Sequence, residues 1–178
     1  ETGQGEYEQI DSVHYHRCGF HPGDNLLEYA WNMGQAMVER FSKVERSVGG
    51  FDIVHGHDWH VVDALNELRN RGYPVILSYH STEYGRAGNI IGDWWEFKKI
   101  SEKEWFGGYI ASRVTAVSGA LRDELIWLYQ IPSEKIDIVP NGIYPEKYHR
   151  KIDPGRIKER YGIHPLAPTI LFVGRLDH

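Results

Sequence analysis

The sequence predicts an α/β fold built on a doubly wound, mostly parallel sheet. Apolar runs of five or six residues alternate along the chain with segments in which apolar residues recur every three or four positions. The first pattern indicates strands and the second indicates amphipathic helices. Because the strand-like runs are apolar throughout, they need cover on both faces, which is typical of parallel sheets in α/β proteins.

The N-terminal quarter is predicted to be a loop followed by one long helix. The first 24 residues mix Gly, His and Tyr without periodicity and end in a turn, with Asp24 as the expected N-cap. Apolar residues then recur with helical spacing over 25–48, and Gly49 and Gly50 stop the helix.

A regular alternation of strands and helices follows. We expect strands over 51–55, 74–79, 113–117 and 135–139, and helices over 59–70, 93–111 and 119–130. Ser118 is placed to cap the last of these helices. Beyond Asn141-Gly142 the composition shifts to Tyr, Pro, Lys and His, with a short helix near 154–161. A strand that starts at Thr169 indicates the beginning of a new sheet.

Composition and charge exclude several classes of protein. With 178 residues, 41% hydrophobic and 25% charged, the chain reads as soluble and globular. A formal net charge of −5 argues against a nucleic-acid partner. No apolar run is long enough to span a membrane, and the chain does not open on a signal-like segment. The single cysteine, Cys18, cannot form an internal disulfide, so we expect a cytoplasmic protein with no membrane partner.

Polar residues follow each predicted strand. Histidines and an aspartate follow the first strand (55–60), His80 follows the second, Ser118 the third and Asn141 the fourth. Because parallel strands all finish at one edge of a sheet, we expect these groups to meet in a crevice there.

A metal site is one interpretation of the histidine-rich segment 55–60. Its order resembles the His-x-His-x-Asp-His motif of dinuclear zinc hydrolases, but Asp58 stands one position too early. No second His-rich group follows at a recognisable spacing, so we predict no metal. The alternative makes His55 and His57 buried, hydrogen-bonded strand-end residues, and Asp58 the N-cap of the next helix.

His80 is the stronger candidate for a ligand-binding residue, since a single imidazole at the end of a central strand can donate to a sugar hydroxyl or a phosphate oxygen. The alternative is a hydrogen-bonded core histidine. The glycine-rich segment 85–92 is either a mobile loop over the site or a plain connector. Five tryptophans have either a sugar-stacking or a core-packing role: Trp59, Trp94, Trp95, Trp105 and Trp127.

Two further residues lie near predicted strand ends. Asn141 precedes Gly142, which is a turn signal by itself. Arg175 follows the last strand, where a forked and permanently charged donor suits a diphosphate, although a plain surface arginine fits the same spacing.

Five segments in order resemble the glycogen and starch synthases and their relatives among retaining glycosyltransferases. They are 52–60, 78–80 with the sequel Glu83-Tyr84, 115–118, 139–143 and 171–176. The resemblance implies the two-domain GT-B architecture, with two facing Rossmann-like domains. It also implies transfer of glucose from ADP-glucose or UDP-glucose to an α-1,4-glucan with retention, and it implies neither a metal nor another cofactor.

The same resemblance implies roles for individual residues. Asp58 and His80 become the catalytic residues, Asp58 on the acceptor side and His80 beside the transferred sugar and the reacting phosphate. Asn141 resembles the cleft asparagine, and Arg175 the arginine that holds the donor diphosphate. The remaining substrate-binding residues implied are Ser81, Glu83 and Tyr84.

The resemblance also implies a divided chain. Residues 1–148 correspond to the C-terminal portion of the acceptor-side domain, and 149–178 to a linker and the first strand of the donor-binding domain. The lysine-bearing turn and paired glutamates of the donor domain are missing from these residues, so we expect this chain alone to be inactive. The alternatives are a related transferase with a sucrose, trehalose or lipid-linked glycan specificity, or a non-catalytic carbohydrate-binding α/β module.

Overall fold

The computed structural model describes residues 5–149 and 151–174, which divide between Asn141 and Gly142 into two compact units. In chain order the first unit contains β1 (Tyr7–Ile10), β2 (Val13–His16), α1 (Leu26–Val48), β3 (Val54–His57), α2 (Val62–Asn70), β4 (Val75–Tyr79), α3 (Glu83–Arg86), α4 (Trp95–Ile110), β5 (Arg113–Ala116), α5 (Gly119–Tyr129) and β6 (Ile136–Ile138). Among the described residues, no helix is long and apolar enough to cross a bilayer.

The centre of the first unit is a four-stranded parallel sheet. Its strands lie in the order β3-β4-β5-β6, so each strand pairs with the next one along the chain. The register places His57 opposite Ser78, and Ser78 opposite Thr115. The predicted α/β fold class is confirmed, and the four strands of this sheet and the helices α1, α2, α4 and α5 fall within a few residues of their predicted positions.

The helices that connect these strands pack on one face of the sheet. Because β3 to β6 follow one another in a single direction, right-handed crossovers place α2, α4 and α5 on the same side. Alternate strand residues are buried beneath them: Val75, Leu77, Tyr79, Val114, Ala116 and Ile136. The packing is close, since a Cβ on Gly107 of α4 would lie 2.6 Å from the side chain of Leu77. The opposite face is polar, with His55, His57, Arg113 and Asp137 exposed, so within the described residues the expected cover on both faces of the sheet is observed on one face only.

The prediction of a loop over the first 24 residues was wrong. β1 and β2 form an antiparallel hairpin, with Asp11 in the left-handed region at its turn (φ 55°). Both strands are exposed and only four residues long, so neither carries the longer apolar alternation that identifies a half-buried strand in sequence. Cross-strand contacts stabilise the pair instead, including one between the Tyr7 hydroxyl and His14.

The N-cap of α1 is Asn25 rather than Asp24. The Asn25 side chain accepts hydrogen bonds from the backbone N–H groups of Leu27 and Glu28. Asp24 lies one residue earlier, where its own N–H donates to the Glu28 carboxylate at 2.9 Å. Both residue types cap helices well, and the start of the helix decides between them.

The second unit contains a 3-10 turn (Pro145–Lys147) and α6 (Pro154–Arg160), which confirms the predicted short helix. The Asp153 carboxylate caps α6 by accepting from the Arg156 N–H. The strand predicted from Thr169 is not formed over 169–174, and Ile170 is fully exposed (100%). A strand requires a neighbour for its backbone groups, and within the described residues none pairs with this segment.

Candidate functional site

Asp58 and His80 meet at the carboxyl ends of neighbouring strands. Asp58 directly follows β3, and its backbone N–H donates to the carbonyl of Ser78 at 2.8 Å. Its Oδ1 atom accepts from the backbone N–H of His80 at 2.9 Å. The alternative role of Asp58 as a helix cap is excluded, because its side chain makes no capping hydrogen bond.

The backbone of Asp58 adopts a conformation that is rare for a side-chain-bearing residue. Its φ of 59° and ψ of 177° lie in a region that is essentially reserved for glycine. Such a conformation costs about 1–3 kcal/mol and persists only where surrounding contacts enforce it. The two hydrogen bonds to the segment around β4 supply that constraint here.

His80 is exposed at the rim and is not a core histidine. Its Nε2 atom lies 3.0 Å from Nδ1 of His57, the last residue of β3. The ring therefore has a protein partner on one nitrogen while remaining accessible to a ligand.

His55 and His57 lie on the polar face of the sheet and are exposed, so their predicted burial was wrong, although both are hydrogen-bonded. Nε2 of His55 lies 2.7 Å from the Ser78 hydroxyl, which in turn contacts the hydroxyl of Thr115. Partial desolvation lowers the pKa of His55, and the neighbouring imidazoles of His57 and His80 lower it further. Among the described residues, no cluster of three or more His, Cys, Asp or Glu side chains is arranged to hold a metal ion.

The residues after His80 form a short helix rather than an open loop. The Thr82 hydroxyl caps α3 by accepting from the Gly85 N–H at 3.0 Å. The predicted binding residues Ser81 and Glu83 both contact Arg86, whose guanidinium donates to the Ser81 hydroxyl at 2.8 Å and to the Glu83 carboxylate at 3.0 Å. The glycine-rich segment thus begins as an ordered helical turn tied to the rim.

A buried carboxylate beneath α3 organises this turn. Glu104 of α4 is fully buried (0% exposed), and it accepts from the Glu83 N–H at 2.9 Å and from Arg86 at 2.6 Å. The Tyr129 hydroxyl is a third donor to the same carboxylate. Burial raises the pKa of Glu104, while these donors act in the opposite direction. Desolvation lowers the pKa of Arg86, but the carboxylates of Glu104 and Glu83 outweigh it and the net shift is upward, so the guanidinium stays charged.

Sequence reasoning missed both Arg86 and Glu104. A signal was present for Glu104, because it occupies a position of α4 whose helical neighbours are apolar or small. The buried positions of that face are Phe97, Ile100, Glu104, Gly107, Gly108 and Ile110. A carboxylate on the buried side of a helix requires partners, and it therefore indicates a polar network.

The other predicted site residues are not joined to Asp58 or His80 by hydrogen bonds among the described residues. Tyr84 packs edge-on against Trp127, with ring centroids 5.3 Å apart. Asn141 is exposed beyond β6, and in the described part of the chain no hydrogen bond joins it to Asp58 or His80. Arg175 lies outside the described residues. Of the five tryptophans only Trp59 is core (2% exposed), whereas Trp94, Trp95, Trp105 and Trp127 are exposed.

A parallel α/β sheet with polar groups gathered beyond its strand ends defines the first unit as a Rossmann-like domain. The chain belongs to glycosyltransferase family 4, since the family model described as Glycosyltransferase Family 4 matches residues 1–147. This match confirms the glycosyltransferase class expected from the sequence motifs, but the family is glycosyltransferase family 4 and a specificity like that of the glycogen and starch synthases is not shown.

Several curated proteins are similar to this chain. An uncharacterised glycosyltransferase of Methanocaldococcus jannaschii is 30% identical over 97% of the chain and 44% of its own length. A D-inositol 3-phosphate glycosyltransferase of Frankia alni is 30% identical over 72% of the chain and 32% of its own length. The chain thus spans less than half of these relatives.

The fold is also similar to solved structures. A sucrose-phosphate synthase from Thermosynechococcus elongatus superimposes with a TM-score of 0.65 over 90% of this chain and 40% of that one, at 14% identity. A shorter form of the same synthase gives a TM-score of 0.57 over 83% of this chain and 75% of that one, at 16% identity. These likenesses support the GT-B type of fold.

Proposed function

We propose that this chain supplies the acceptor-side half of a retaining hexosyltransferase that uses a nucleotide sugar. The observation that carries the proposal is the hydrogen bond from the His80 backbone to the Asp58 carboxylate. It holds two residues with complementary chemistry at one rim, where His80 stays exposed and where α/β sheets bind ligands.

The reaction breaks the bond between the anomeric carbon and the diphosphate oxygen and forms a bond from that carbon to an acceptor oxygen on the same face of the sugar. The acceptor proton leaves on the diphosphate. Positive charge develops on the sugar and negative charge on the departing nucleotide, so fixed donors and acceptors contribute more than a strong base. In this scheme His80 donates to the transferred sugar, and the Asp58 oxygen not bound to His80 accepts from the acceptor.

The other predicted binding residues keep supporting roles in the proposal. Ser81, Glu83 and Tyr84 border the site next to His80, and the Arg86–Glu104 network supports their placement. By motif resemblance, Asn141 binds within the cleft and Arg175 binds the donor diphosphate. The donor in this proposal is ADP-glucose or UDP-glucose, used in the cytoplasm.

Two acceptor classes deserve comparison. An α-1,4-glucan follows from the motif resemblance, and it suits the aromatic pair formed by the half-buried Tyr84 of α3 and the exposed Trp127 of α5. A glucan is uncharged, and the charge of the nearby Arg86 does not call for an anionic acceptor, because Arg86 already pairs with the carboxylates of Glu83 and Glu104. A phosphorylated polyol is the second candidate, favoured by relatives named as D-inositol 3-phosphate glycosyltransferases.

We further propose that the 178 residues alone do not sustain transfer. The chain spans 44% of the length of a relative that it matches almost throughout, which supports a need for further residues to hold the donor. Incubation of the 178-residue chain with either donor and glycogen tests this point, and sustained product formation would overturn it.

The central test uses the longer polypeptide that includes this chain. It is incubated with ADP-glucose or UDP-glucose and with a maltooligosaccharide or inositol 3-phosphate, and the anomeric configuration of the product is read by NMR. We expect retention, and a loss of about 100-fold in kcat/KM for His80→Ala. His14→Ala, on the exposed hairpin, is the control. An inverted product, or full activity of the His80 variant, would refute the proposal.

A further inference from the structure

The ring of His80 is held by a second histidine. Nδ1 of His57 lies 3.0 Å from Nε2 of His80, and the two ring planes differ by 28°. His57 is the last residue of β3, directly opposite Ser78 in the sheet. A hydrogen bond therefore links the ends of two adjacent strands through their imidazoles.

Two imidazole nitrogens at this distance share one proton. One ring must donate and the other must accept, because two donors would repel and two acceptors would leave the contact unmade. The proton on this nitrogen pair therefore constrains the tautomer of both rings. Among the described residues, none makes a hydrogen bond with Nδ1 of His80, so that nitrogen is the one available to a substrate.

His57 is well placed to be the fixed partner. Its backbone belongs to the parallel sheet, and its ring stacks on His55 with centroids 4.6 Å apart and planes 25° apart. The His55 ring is itself anchored to the Ser78 hydroxyl at 2.7 Å. His80 is thus constrained twice, at its backbone by Asp58 and at its ring by His57.

We infer that His57 is a positioning residue that fixes the tautomer and ring orientation of His80 and presents Nδ1 of His80 to the substrate. The role of the positioned nitrogen in transfer rests on the proposed function, whereas the effect of His57 on His80 does not. The matched pair of variants is His57→Phe, which keeps a ring to stack on His55 but has no nitrogen, and His57→Asn, which places a polar atom near the position of Nδ1.

The decisive measurement is long-range ¹H–¹⁵N NMR of the histidine rings in the 178-residue chain. We expect the ring nitrogens of His80 to report one tautomer in the unaltered chain, a mixture in His57→Phe and recovery of one tautomer in His57→Asn. His14→Gln, on the exposed hairpin, is the control and should leave His80 unchanged. Backbone amide spectra verify that each variant is folded. An unchanged His80 signature in His57→Phe would overturn the inference.

Kinetics of the longer polypeptide separate this inference from the proposed function. We expect His57→Phe to lower kcat by about tenfold with little change in KM, since a misplaced group costs rate rather than binding. His57→Asn should recover most of the rate, and the control His14→Gln should stay within about twofold. If His80→Ala keeps full activity, the proposed function fails while the NMR result still decides the role of His57. If kcat in His57→Phe is unchanged although His80→Ala is inactive, the positioning role is refuted.

Discussion

The Asp58 carboxylate accepts a hydrogen bond from the backbone N–H of His80 at 2.9 Å, across the ends of two parallel strands. The same aspartate has a backbone conformation that residues other than glycine adopt only at a cost in free energy. A strained residue joined by its side chain to a neighbouring strand end is a feature that occurs frequently at functional sites. Its strain and its hydrogen bond can be separated by substitution.

We expect Asp58→Gly to be more stable than Asp58→Ala by about 1 kcal/mol. Both variants lose the hydrogen bond to His80, but only glycine relieves the positive φ. Urea denaturation measures the difference, and the same two substitutions at the exposed Asp52 serve as controls, since Asp52 lacks a positive φ. Equal stability of the two Asp58 variants would show that the backbone is not strained.

Glu104→Gln should destabilise the first unit by about 3 kcal/mol. The amide cannot accept from all three donors, and it places an N–H group against Arg86 or against the other donors. Glu102→Gln is the control on the same helix, because Glu102 is exposed and pairs with the exposed Lys99. Chemical denaturation compares the two variants. A change in Glu104→Gln no larger than in Glu102→Gln would contradict the structural role of the buried carboxylate.

Stability should fall as the solution becomes acidic. Burial lowers the pKa of His60, with Asp58 opposing and Arg86 reinforcing this effect, and the pKa of His55 is also lowered. These two imidazoles therefore bind protons more readily in the unfolded chain than in the folded chain. As a result, the free energy of unfolding decreases as the pH falls below about 6.5.

Thermal denaturation at pH 7.5 and pH 5 tests this dependence. His60→Gln should show a smaller drop in Tm between the two pH values than the unaltered chain, because glutamine does not titrate. His14→Gln, on the exposed hairpin, should leave the drop unchanged. An equal drop in the His60 variant would show that His60 does not contribute.

Two glycines at helical positions should respond to alanine in opposite directions. In Gly107→Ala the new Cβ would lie 2.6 Å from Leu77 and 2.7 Å from Val62, so overpacking should cost about 1–3 kcal/mol. In Gly119→Ala the nearest atom is 3.9 Å away, in Ile138, so the gain in helix propensity should stabilise by up to about 1 kcal/mol. Chemical denaturation distinguishes them, and a stabilised Gly107→Ala would contradict the close packing of α4 on the sheet.

The sheet and its helices were predictable because they are encoded locally. Strand β4 and helix α5 follow from apolar residues at the spacing of a strand or a helix and from the capping residue Ser118. The hairpin β1–β2 was not predictable in this way, since its strands are exposed and bury no apolar face. Its pairing depends on contacts between side chains rather than on a pattern along the chain.

The sequence by itself determined the parallel α/β architecture, the glycosyltransferase class, and the gathering of Asp58 and His80 at one rim. Local periodicity specifies the strands, and parallel strands end at a common edge. Only the tertiary structure decided that Asp58 binds the His80 backbone, that His57 holds the His80 ring, and that Glu104 lies beneath α3. These contacts join residues about 20 positions apart or more, whose relative placement depends on how helices pack on the sheet.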